Sequence, residues 1–474
     1  MNGLVWFRQD LRIQDNSALA TALTECEQVF ALFALSPKTW AGHDHAPIKL
    51  KFWLDNLQIL AADLAARGIA LHIIETDYFA ELPAEILQLC RRLKIGSVYY
   101  HQQYEYDERQ RDQQVEQTLL ARQIQVHSYH DQLIAPPGVI LSSQKQAIKV
   151  FTPFKKRWLD WVSSHESWQL AHAAVVNSSP VSVKRVPKTV AGFDLPKNTG
   201  QWQAGETAAQ QRLQQFCQSA LYDYHLQRDF PARPGTSQLS PYLSAGVLSL
   251  RQCIVAVLNT LGEHKLSAVY LHEGPFTWLN ELIWREFYKH ILFHYPEVSK
   301  HQPFQAHTRN LAWEDQPTWY SAWQQGRTGF PIVDAAMRQL QQLGWMHNRL
   351  RMIVAMFFSK ILLLDWRIGE RHFMQQLIDG DLAANNGGWQ WCASTGTDSV
   401  PYFRIFNFTT QSKKFDPQGQ FIRRYCPELR HLDNDKIHEP YARGAKLSTK
   451  AYPKPIVDYK TRRELAIKAF KQLR

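Results

Sequence analysis

The sequence predicts a protein of two domains, an α/β domain with a parallel sheet followed by an all-α domain. Over residues 1–130, short apolar runs alternate with amphipathic segments. This alternation is typical of a parallel sheet flanked by helices. From residue 206 onward, apolar positions recur at helical spacing almost throughout. We therefore expect domains at residues 1–130 and 206–474, joined by a connector at residues 131–205.

The elements of the first domain follow from the length and period of each apolar run. Strands are predicted at residues 4–7, 29–35, 70–74, 97–101 and 125–129. Helices are predicted between them at residues 17–24, 49–67, 84–93 and 107–122. A parallel sheet binds small ligands at the carboxyl ends of its strands. The domain has no G-x-G-x-x-G motif, so it does not have an ordinary dinucleotide site.

The connector is rich in turn-forming residues, and the second domain is rich in helical periods. Pro136-Pro137-Gly138, Pro187 and Pro196 interrupt the connector, in which one short helix is predicted at residues 153–162. In the second domain, helices are predicted at residues 206–217, 248–261, 276–293, 332–343, 347–364 and 370–380.

Charge and cysteine content narrow the class of protein. Residues 1–130 carry 12 Lys/Arg and 16 Asp/Glu, whereas residues 131–474 carry 42 and 27, for a net charge of +11. A basic second part favours contact with a polyanion there. The 6 cysteines are scattered without a C-x-x-C pair, which argues against structural zinc and a disulfide framework and fits a reducing cytosol. No leader pattern begins the sequence, and the longest apolar stretch is too short to span a bilayer.

Two segments of the second domain combine polar groups with aromatic rings or a helix start. Residues 235–240 place hydroxyls before a helix expected near Pro241, which suits a phosphate, although a simple helix cap explains them equally well. In residues 278–285, Trp278, Glu281 and Arg285 share a helix face. Such a face can stack on a base and bind its edge; the alternative is ordinary helix packing with a surface ion pair.

Two further segments repeat this combination. Residues 344–352 bring together Trp345, Asn348 and Met352, and residues 379–391 combine two acids, two asparagines and two indoles around glycines. No histidine or third acid lies at a spacing that would complete a metal site or an acid–base pair with the two acids. Hydrogen bonding to the edge of a flavin is the better use of these groups. A tryptophan-rich core is the competing interpretation, because the chain contains 16 Trp.

Taken together, the motifs resemble the photolyase/cryptochrome family, most closely bacterial class I cyclobutane pyrimidine dimer photolyases. The resemblance is carried by residues 5–12 (V-W-F-R-Q-D-L-R), 236–240 (T-S-Q-L-S), 278–287 (W-L-N-E-L-I-W-R-E-F), 344–352 (G-W-M-H-N-R-L-R-M) and 379–391 (D-G-D-L-A-A-N-N-G-G-W-Q-W). It extends over nearly the whole chain and weakens near residues 160–205 and over about the last forty residues.

The resemblance implies that the helical domain binds FAD, with the reduced form active. The residues that it implies for FAD binding are Tyr224, Thr236, Ser237, Gln238, Leu239, Ser240, Trp278, Arg285, Asn348, Arg351, Asp379, Gly380, Asp381 and Asn385. Arg351 and Asp379 would form an ion pair. Asn385 would face flavin N5, where an amide can accept from N5–H or donate to bare N5.

The resemblance also implies light-driven repair of DNA. Photolyases are a standard example of enzymes that flip their target out of the duplex. Reduced FAD, excited by light, would give one electron to the dimer and regain it after the cyclobutane ring opens. The implied lesion-binding residues are Glu281, Trp284, Asn348, Met352 and Trp391, with Glu281 bonded to the base edge. Trp389, Trp366 and Trp313 would carry electrons to oxidised flavin, and Arg228, Arg349 and Arg404 would contact phosphates.

The first domain would carry a light-harvesting antenna, 5,10-methenyltetrahydrofolate. The implied antenna residues are His43, Glu105, Asp107, Glu108 and Lys300. Asp107 stands where the folate-using pattern usually has Asn, and a carboxylate accepts but does not donate. A deazaflavin, an empty site or a plain acid cluster at a helix start therefore remain alternatives.

Three other functions remain as alternatives. A cryptochrome would share the fold, FAD and the tryptophan chain, but Asn385 and the lesion-binding set argue against it. A (6-4) photolyase would use a histidine pair at the lesion, for which His347 is a candidate. A non-catalytic nucleic-acid-binding protein would lack a flavin absorption band. The expected partner is UV-damaged DNA containing pyrimidine dimers, bound by a cytoplasmic bacterial monomer that associates with the nucleoid, without a membrane or a protein partner.

Overall fold

Five strands near the start of the chain form one parallel sheet. The structure is a computed structural model that describes residues 1–171, 179–442 and 452–473. The strands are β1 (Asn2–Phe7), β2 (Gln28–Leu35), β3 (Ala70–Glu75), β4 (Ile95–His101) and β5 (Gln125–Tyr129). Their order in the sheet is β3-β2-β1-β4-β5, and every neighbouring pair is parallel. The order reverses between β1 and β4, where a ligand crevice is expected at the carboxyl ends of the strands.

The central strand explains why the sheet forms where the sequence predicts it. In β1, Leu4, Val5, Trp6 and Phe7 are all buried, as expected for a strand covered on both faces. Its register pairs Leu4 with Phe30 on one side and with Val98 on the other. All five predicted strands are present, with boundaries that differ by at most two residues from the prediction. The predicted fold class is confirmed.

α-Helices make up most of the other regular structure of the described chain. In chain order they are α1 (Ser17–Glu25), α2 (Pro37–Gly42), α3 (Pro47–Ala65), α4 (Leu82–Leu93), α5 (Tyr106–Leu120), α6 (Phe151–His165), α7 (Glu206–Ser219), α8 (Tyr224–Gln227), α9 (Ser240–Ala245), α10 (Leu250–Leu261), α11 (Leu266–Val269), α12 (Glu273–His294), α13 (Pro296–Ser299), α14 (Pro317–Gln324), α15 (Pro331–Leu343), α16 (Asn348–Met356), α17 (Trp366–Met374), α18 (Leu382–Ala393), α19 (Phe408–Phe415), α20 (Gln420–Tyr425) and α21 (Tyr459–Lys471).

Two predicted helices are wrong in extent. The helix predicted at residues 347–364 ends as an α-helix at Met356 and continues as a π-turn, Phe357–Ile361. Ser359 donates to the carbonyl of Ala355 at 2.7 Å, which competes with the regular main-chain bonds and loosens the turn. The helix predicted at residues 370–380 is instead α17. It begins after Asp365, whose side chain accepts from the Arg367 amide and caps the helix four residues earlier than predicted.

The described chain divides into two compact units. The first comprises Met1–Tyr222, Ser237–Pro296 and Ile378–Asp381, and the second comprises Asp223–Thr236, Glu297–Leu377 and Leu382–Arg474. The first unit has an apolar cluster on the sheet that includes Leu4, Leu32 and Val98. The second is built around Met337, Ile353 and other buried residues of its helices. Residues 172–178 of the predicted connector lie outside the described part of the chain.

No helix within the described residues is both long enough and apolar enough to cross a bilayer.

Candidate active site

Four of the five predicted antenna residues form one cluster in the first unit. His43, which ends α2, places Nε2 at 3.0 Å from Asp107 Oδ2 and Nδ1 at 3.3 Å from Glu108 Oε1. Burial alone would lower the pKa of His43, but the hydrogen bonds and charges of Glu108 and Asp107 raise it to about 9. Burial raises the pKa of the nearby Glu105. The fifth residue, Lys300, belongs to the second unit, where it pairs with Glu297 at 3.1 Å.

A cleft lies in the same unit, next to this cluster. Its walls include the rings of Trp6, Trp40, Trp53 and Phe79. Its polar groups include Arg8, His45, Gln103, Glu108 and Arg111. An aromatic cleft with a few placed polar groups suits a flat conjugated ligand. The sequence did not identify this cleft, because its lining comes from segments far apart in the chain.

Two buried lysines connect this cluster with the predicted flavin segment, residues 379–381. Lys289 Nζ lies 2.7 Å from Asp381 Oδ2 and 3.9 Å from Glu105 Oε1. Lys49 Nζ donates to the carbonyl of Gly380 at 2.6 Å and lies 3.3 Å from His45 Nδ1. Burial, opposed by the charges of Asp381 and Glu105, lowers the pKa of Lys49 to about 8. Sequence reasoning missed both lysines, because neither stands in a motif.

Helix α12 carries four predicted site residues of the first unit. Trp278 is 3% exposed and packs on Phe216, with ring centres 5.0 Å apart. Arg285 donates to the carbonyls of Gln132 at 2.7 Å and Leu243 at 3.3 Å. Glu281, like Arg285, is half-buried. Trp278 is therefore mainly a core residue, and Arg285 already has two main-chain partners within the unit.

Trp284, the fourth of these residues, stacks face to face on Phe151. The ring centres are 3.6 Å apart and the planes are inclined by 7°. Phe151 is the first residue of α6, in the segment predicted to be a connector. Trp284 is half-buried, and one face of its indole is covered by this ring.

The segment predicted for the phosphate end of FAD contains a left-handed residue, Gln238, with φ 51°. Helix α9 starts two residues later, at Ser240, and has no side-chain cap, so the simple capping interpretation of these hydroxyls is wrong. The Gln238 side chain accepts from Arg212 at 2.9 Å, and Leu239 is buried. Thr236 belongs to the second unit and Ser237 to the first, and both are half-buried. Tyr224, in the second unit, is buried.

Helix α16 carries the predicted residues of the 344–352 motif in the second unit. Asn348 is exposed and begins the helix, while His347 caps it by accepting from the Arg349 amide at 3.2 Å. Arg349 pairs with Asp229 at 2.8 Å. Arg351 donates to the carbonyl of Met346 at 2.8 Å. The predicted ion pair of Arg351 with Asp379 joins residues of different units and stays a prediction.

Helix α18 holds Asn385 and Trp389 in the second unit, although its glycines gave no helix signal in the sequence. The Asn385 amide donates to the carbonyl of Glu370 at 2.9 Å, which leaves its oxygen as an acceptor for a ligand. Trp389 is 2% exposed, and its indole lies directly over Gly369. Trp389 Nε1 is a buried donor without a partner among the described residues. An acceptor-bearing amide and an unpartnered buried donor fit a polar ring system such as a flavin.

The predicted electron-carrying tryptophans differ in burial. Trp389 and Trp366 lie in the core of the second unit, at 2% and 1% exposure, while Trp313 is half-buried at its margin. Another tryptophan of the same core, Trp323, is fully buried, and its ring centre lies 6.0 Å from that of Trp389. Met352 and Trp391 are partly buried and pack against the same core.

The three predicted phosphate contacts lie in the second unit. Arg404 is exposed in a turn, where its amide donates to the carbonyl of Pro401 at 2.9 Å. Arg228 lies 5.9 Å from the ring of Tyr224. Arg349 is stacked 4.6 Å from the ring of Phe415 in addition to its pairing with Asp229. Any phosphate at Arg349 therefore shares the guanidinium with Asp229.

Two family models and a curated protein of known name match the chain. A family model described as DNA photolyase matches residues 3–173, and one described as FAD binding domain of DNA photolyase matches residues 278–472. The deoxyribodipyrimidine photo-lyase of Escherichia coli strain K12 is 46% identical over 99% of this chain and 98% of its own length.

Two solved structures have similar folds. A bacterial class III photolyase from Agrobacterium tumefaciens has a TM-score of 0.84 and 34% identity, covering 100% of this chain and 97% of its own. A cryptochrome of Synechocystis sp. PCC6803 has a TM-score of 0.85 and 27% identity, covering 99% of both chains. The fold therefore does not separate a photolyase from a cryptochrome.

Proposed function

The chain belongs to the DNA photolyase family, and from this premise we propose that it is a deoxyribodipyrimidine photo-lyase, which splits cyclobutane pyrimidine dimers in DNA with light. The observation that carries the proposal is the 46% identity to the enzyme of that name over nearly the whole of both chains. The aromatic, amide and carboxylate groups that the mechanism needs support it.

Bound reduced FAD would supply the light-absorbing one-electron donor, whose redox chemistry belongs to the cofactor. In the second unit, Asn385 presents its oxygen, held in place by the Glu370 carbonyl. In the first unit, Asp381 is held as a carboxylate acceptor beside Lys289. Further residues of both units complete the proposed FAD-binding set. In the second unit they are Tyr224, Thr236, Asn348 and Arg351. In the first unit they are Ser237, Gln238, Leu239, Ser240, Trp278, Arg285, Asp379 and Gly380.

The lesion would be held by side chains that stack and by side chains that hydrogen-bond. The Trp284 face opposite Phe151 and the indole of Trp391 would stack on the flipped dimer, at about 1–3 kcal/mol per base. Glu281 and Asn348 would bond to base edges, and Met352 would pack against the ring. Phosphates would be bound by Arg228, Arg349 and Arg404, which position the duplex without reading its sequence.

Light-driven reduction of oxidised flavin would use Trp389, Trp366 and Trp313. Trp389 and Trp366 are excluded from water by burial, and half-buried Trp313 can exchange electrons with a reductant in solvent.

We propose 5,10-methenyltetrahydrofolate as the antenna, bound by His43, Glu105, Asp107, Glu108 and Lys300. The charged His43 directs one ring N–H to Asp107 and the other to Glu108, so it offsets the negative charge that Asp107 brings to this position. The aromatic cleft beside it suits a flat pigment of another kind equally well. An absorption spectrum of the purified protein distinguishes them, since folate and deazaflavin pigments absorb at different wavelengths.

His347 argues against repair of (6-4) photoproducts. Burial lowers its pKa to about 4, and its Nδ1 is used as an acceptor that caps α16. A neutral histidine that accepts a main-chain hydrogen bond is not available as a general acid at neutral pH.

The test is illumination of the reduced protein with two oligonucleotides, one containing a cyclobutane dimer and one a (6-4) photoproduct. We expect dimer reversal in light only and no change in the (6-4) product. A flavin band without reversal of either lesion would instead support a signalling function. Trp284→Ala should weaken binding of dimer DNA and retain FAD.

A further inference from the structure

We propose that Phe151, in the segment between the two predicted domains, is a positioning residue for the lesion: its ring fixes the Trp284 indole and determines which face of that indole receives a flipped base. This inference rests on the proposed function, because it concerns the residue that would stack on the dimer. Phe151 stands in none of the motifs that carry the family resemblance.

The geometry is that of an aromatic platform supported from behind. The Phe151 and Trp284 rings are nearly parallel, with centres 3.6 Å apart, so a second ring cannot enter between them. Trp284 is half-buried, whereas Phe151 is 7% exposed. The buried ring therefore acts as the fixed member of the pair, and the indole presents its opposite face.

Neighbouring groups hold Phe151 in place. Its ring meets Phe287 edge to face at 5.8 Å, and Phe287 meets the Trp284 ring in the same way at 5.5 Å. One turn further along α6, Lys155 places its ammonium group 5.9 Å from the centre of the Phe151 ring. The stack is thus fixed by α6 and α12 within the first unit.

A platform that is ordered before the lesion arrives binds more tightly than one that must be ordered on binding, since immobilising a large side chain costs free energy. Without the Phe151 ring, the Trp284 side chain gains rotamers, and the indole face opposite Phe151 can turn away from the lesion. Lesion affinity should fall, whereas FAD retention and affinity for undamaged DNA, which need no flipped base, should not.

Helix α6 also offers a matched control. Phe154 is likewise buried and packs on α12. Its ring contacts Phe287 at 5.2 Å and His290 at 5.0 Å and, within the part of the chain that the structure describes, makes no ring contact with Trp284. Phe154→Leu therefore removes a comparable packing ring without removing the support of the indole.

The experiment compares the parent with Phe151→Leu, Phe151→Tyr and Phe154→Leu, measuring KM and kcat for a dimer oligonucleotide, affinity for the undamaged duplex, FAD content and thermal midpoint. Phe151→Leu should raise KM about ten-fold with kcat, FAD content and affinity for undamaged DNA unchanged. Phe151→Tyr should restore the parent KM. Phe154→Leu should lower the thermal midpoint without changing KM.

An unchanged KM in Phe151→Leu, or an equal rise in Phe154→Leu, would overturn the role of Phe151. A parent protein that reverses no dimers at all would instead overturn the proposed function, so the two failures are distinguishable.

Discussion

A single buried cation, the Lys289 ammonium group, links residues predicted to serve different ligands. It lies 2.7 Å from Asp381, of the flavin set, and 3.9 Å from Glu105, of the antenna set. Removing one member of a buried ion pair is far more destabilising than replacing both, because a charge is left without compensation. Lys289 therefore stabilises the arrangement in which both carboxylates are buried.

We predict that Lys289→Met lowers the free energy of unfolding by about 3 kcal/mol and reduces FAD retention. Urea denaturation and flavin fluorescence after gel filtration would measure the two effects. Lys38→Met is the control, since Lys38 pairs with Asp77 in an exposed position and its loss should change neither quantity. Equal behaviour of the two variants would contradict a structural role for the buried cation.

His43 should make stability depend on pH. Its pKa is about 9 in the folded protein against an ordinary 6.5, because Glu108 and Asp107 outweigh the effect of burial. A raised pKa means that the stabilisation is fully present below pH 6.5 and is lost as the pH rises through 9. We predict that His43→Gln destabilises the protein by about 2 kcal/mol more at pH 6 than at pH 10. A destabilisation independent of pH would show that His43 is not charged in the fold.

At this scale the sequence identifies motif residues but not their partners. The four clustered antenna residues lie near each other because α2 and α5 meet, but Lys49, Lys289, Phe151 and Trp323 stand outside every motif. They contact site residues through tertiary packing, which joins segments far apart in the sequence. No local pattern records such contacts.

At the scale of elements, strands are predicted better than helices. Strand β1 is buried on both faces, so its apolar run is unbroken and marks the whole strand. Helix α18 gives no such signal, because its sequence combines glycines, amides and indoles. Its contacts with α16 and α17 stabilise it instead. The predicted end of α16 was wrong, because the helix gives way to a π-turn around Ser359 although apolar residues continue at helical spacing.

The contact between α17 and α18 gives a prediction with an internal control. A methyl group at Gly369 would lie 2.2 Å from the Trp389 ring, whereas one at Gly388 would meet no described atom within 4 Å. Gly369→Ala should lower the thermal midpoint and slow light-driven flavin reduction by displacing the Trp389 indole. Gly388→Ala should not lower the midpoint, because alanine favours a helix over glycine by up to about 1 kcal/mol.

Differential scanning calorimetry and flavin absorption during blue-light illumination would compare these two variants. A normal rate of reduction in Gly369→Ala would show that electron transfer tolerates displacement of this indole.

At the scale of the whole molecule, charge is distributed unevenly along the chain. Residues 131–474 carry 42 Lys/Arg against 27 Asp/Glu, and they include all three proposed phosphate contacts. In a plot of the logarithm of the binding constant against the logarithm of the salt concentration, each neutralised phosphate contributes about −0.9 to the slope. Three phosphate contacts therefore give a slope of roughly −2.7. A four-fold increase in salt should then weaken binding about 40-fold.

We predict this weakening equally for damaged and undamaged DNA, measured by fluorescence anisotropy between 50 and 200 mM salt, concentrations chosen to span about the physiological value. Arg404→Gln should make the slope shallower by about 0.9 on both DNAs. Arg67→Gln is the control, since Arg67 lies in the predicted acidic domain and should leave the slope unchanged. A salt effect restricted to damaged DNA would contradict phosphate binding by these residues.

Four residues of the first unit, Ile378–Asp381, follow residues 297–377 of the second unit in the sequence. During translation the sheet emerges from the ribosome early, but the Gly380 carbonyl and the Asp381 carboxylate that meet Lys49 and Lys289 emerge only after residues 297–377 have been made. Until then Lys49 and Lys289 lack the partners at Gly380 and Asp381 that they have in the folded first unit. A chain that ends before residue 378 would lack both partners, and we expect its first unit to be less stable than that of the full chain.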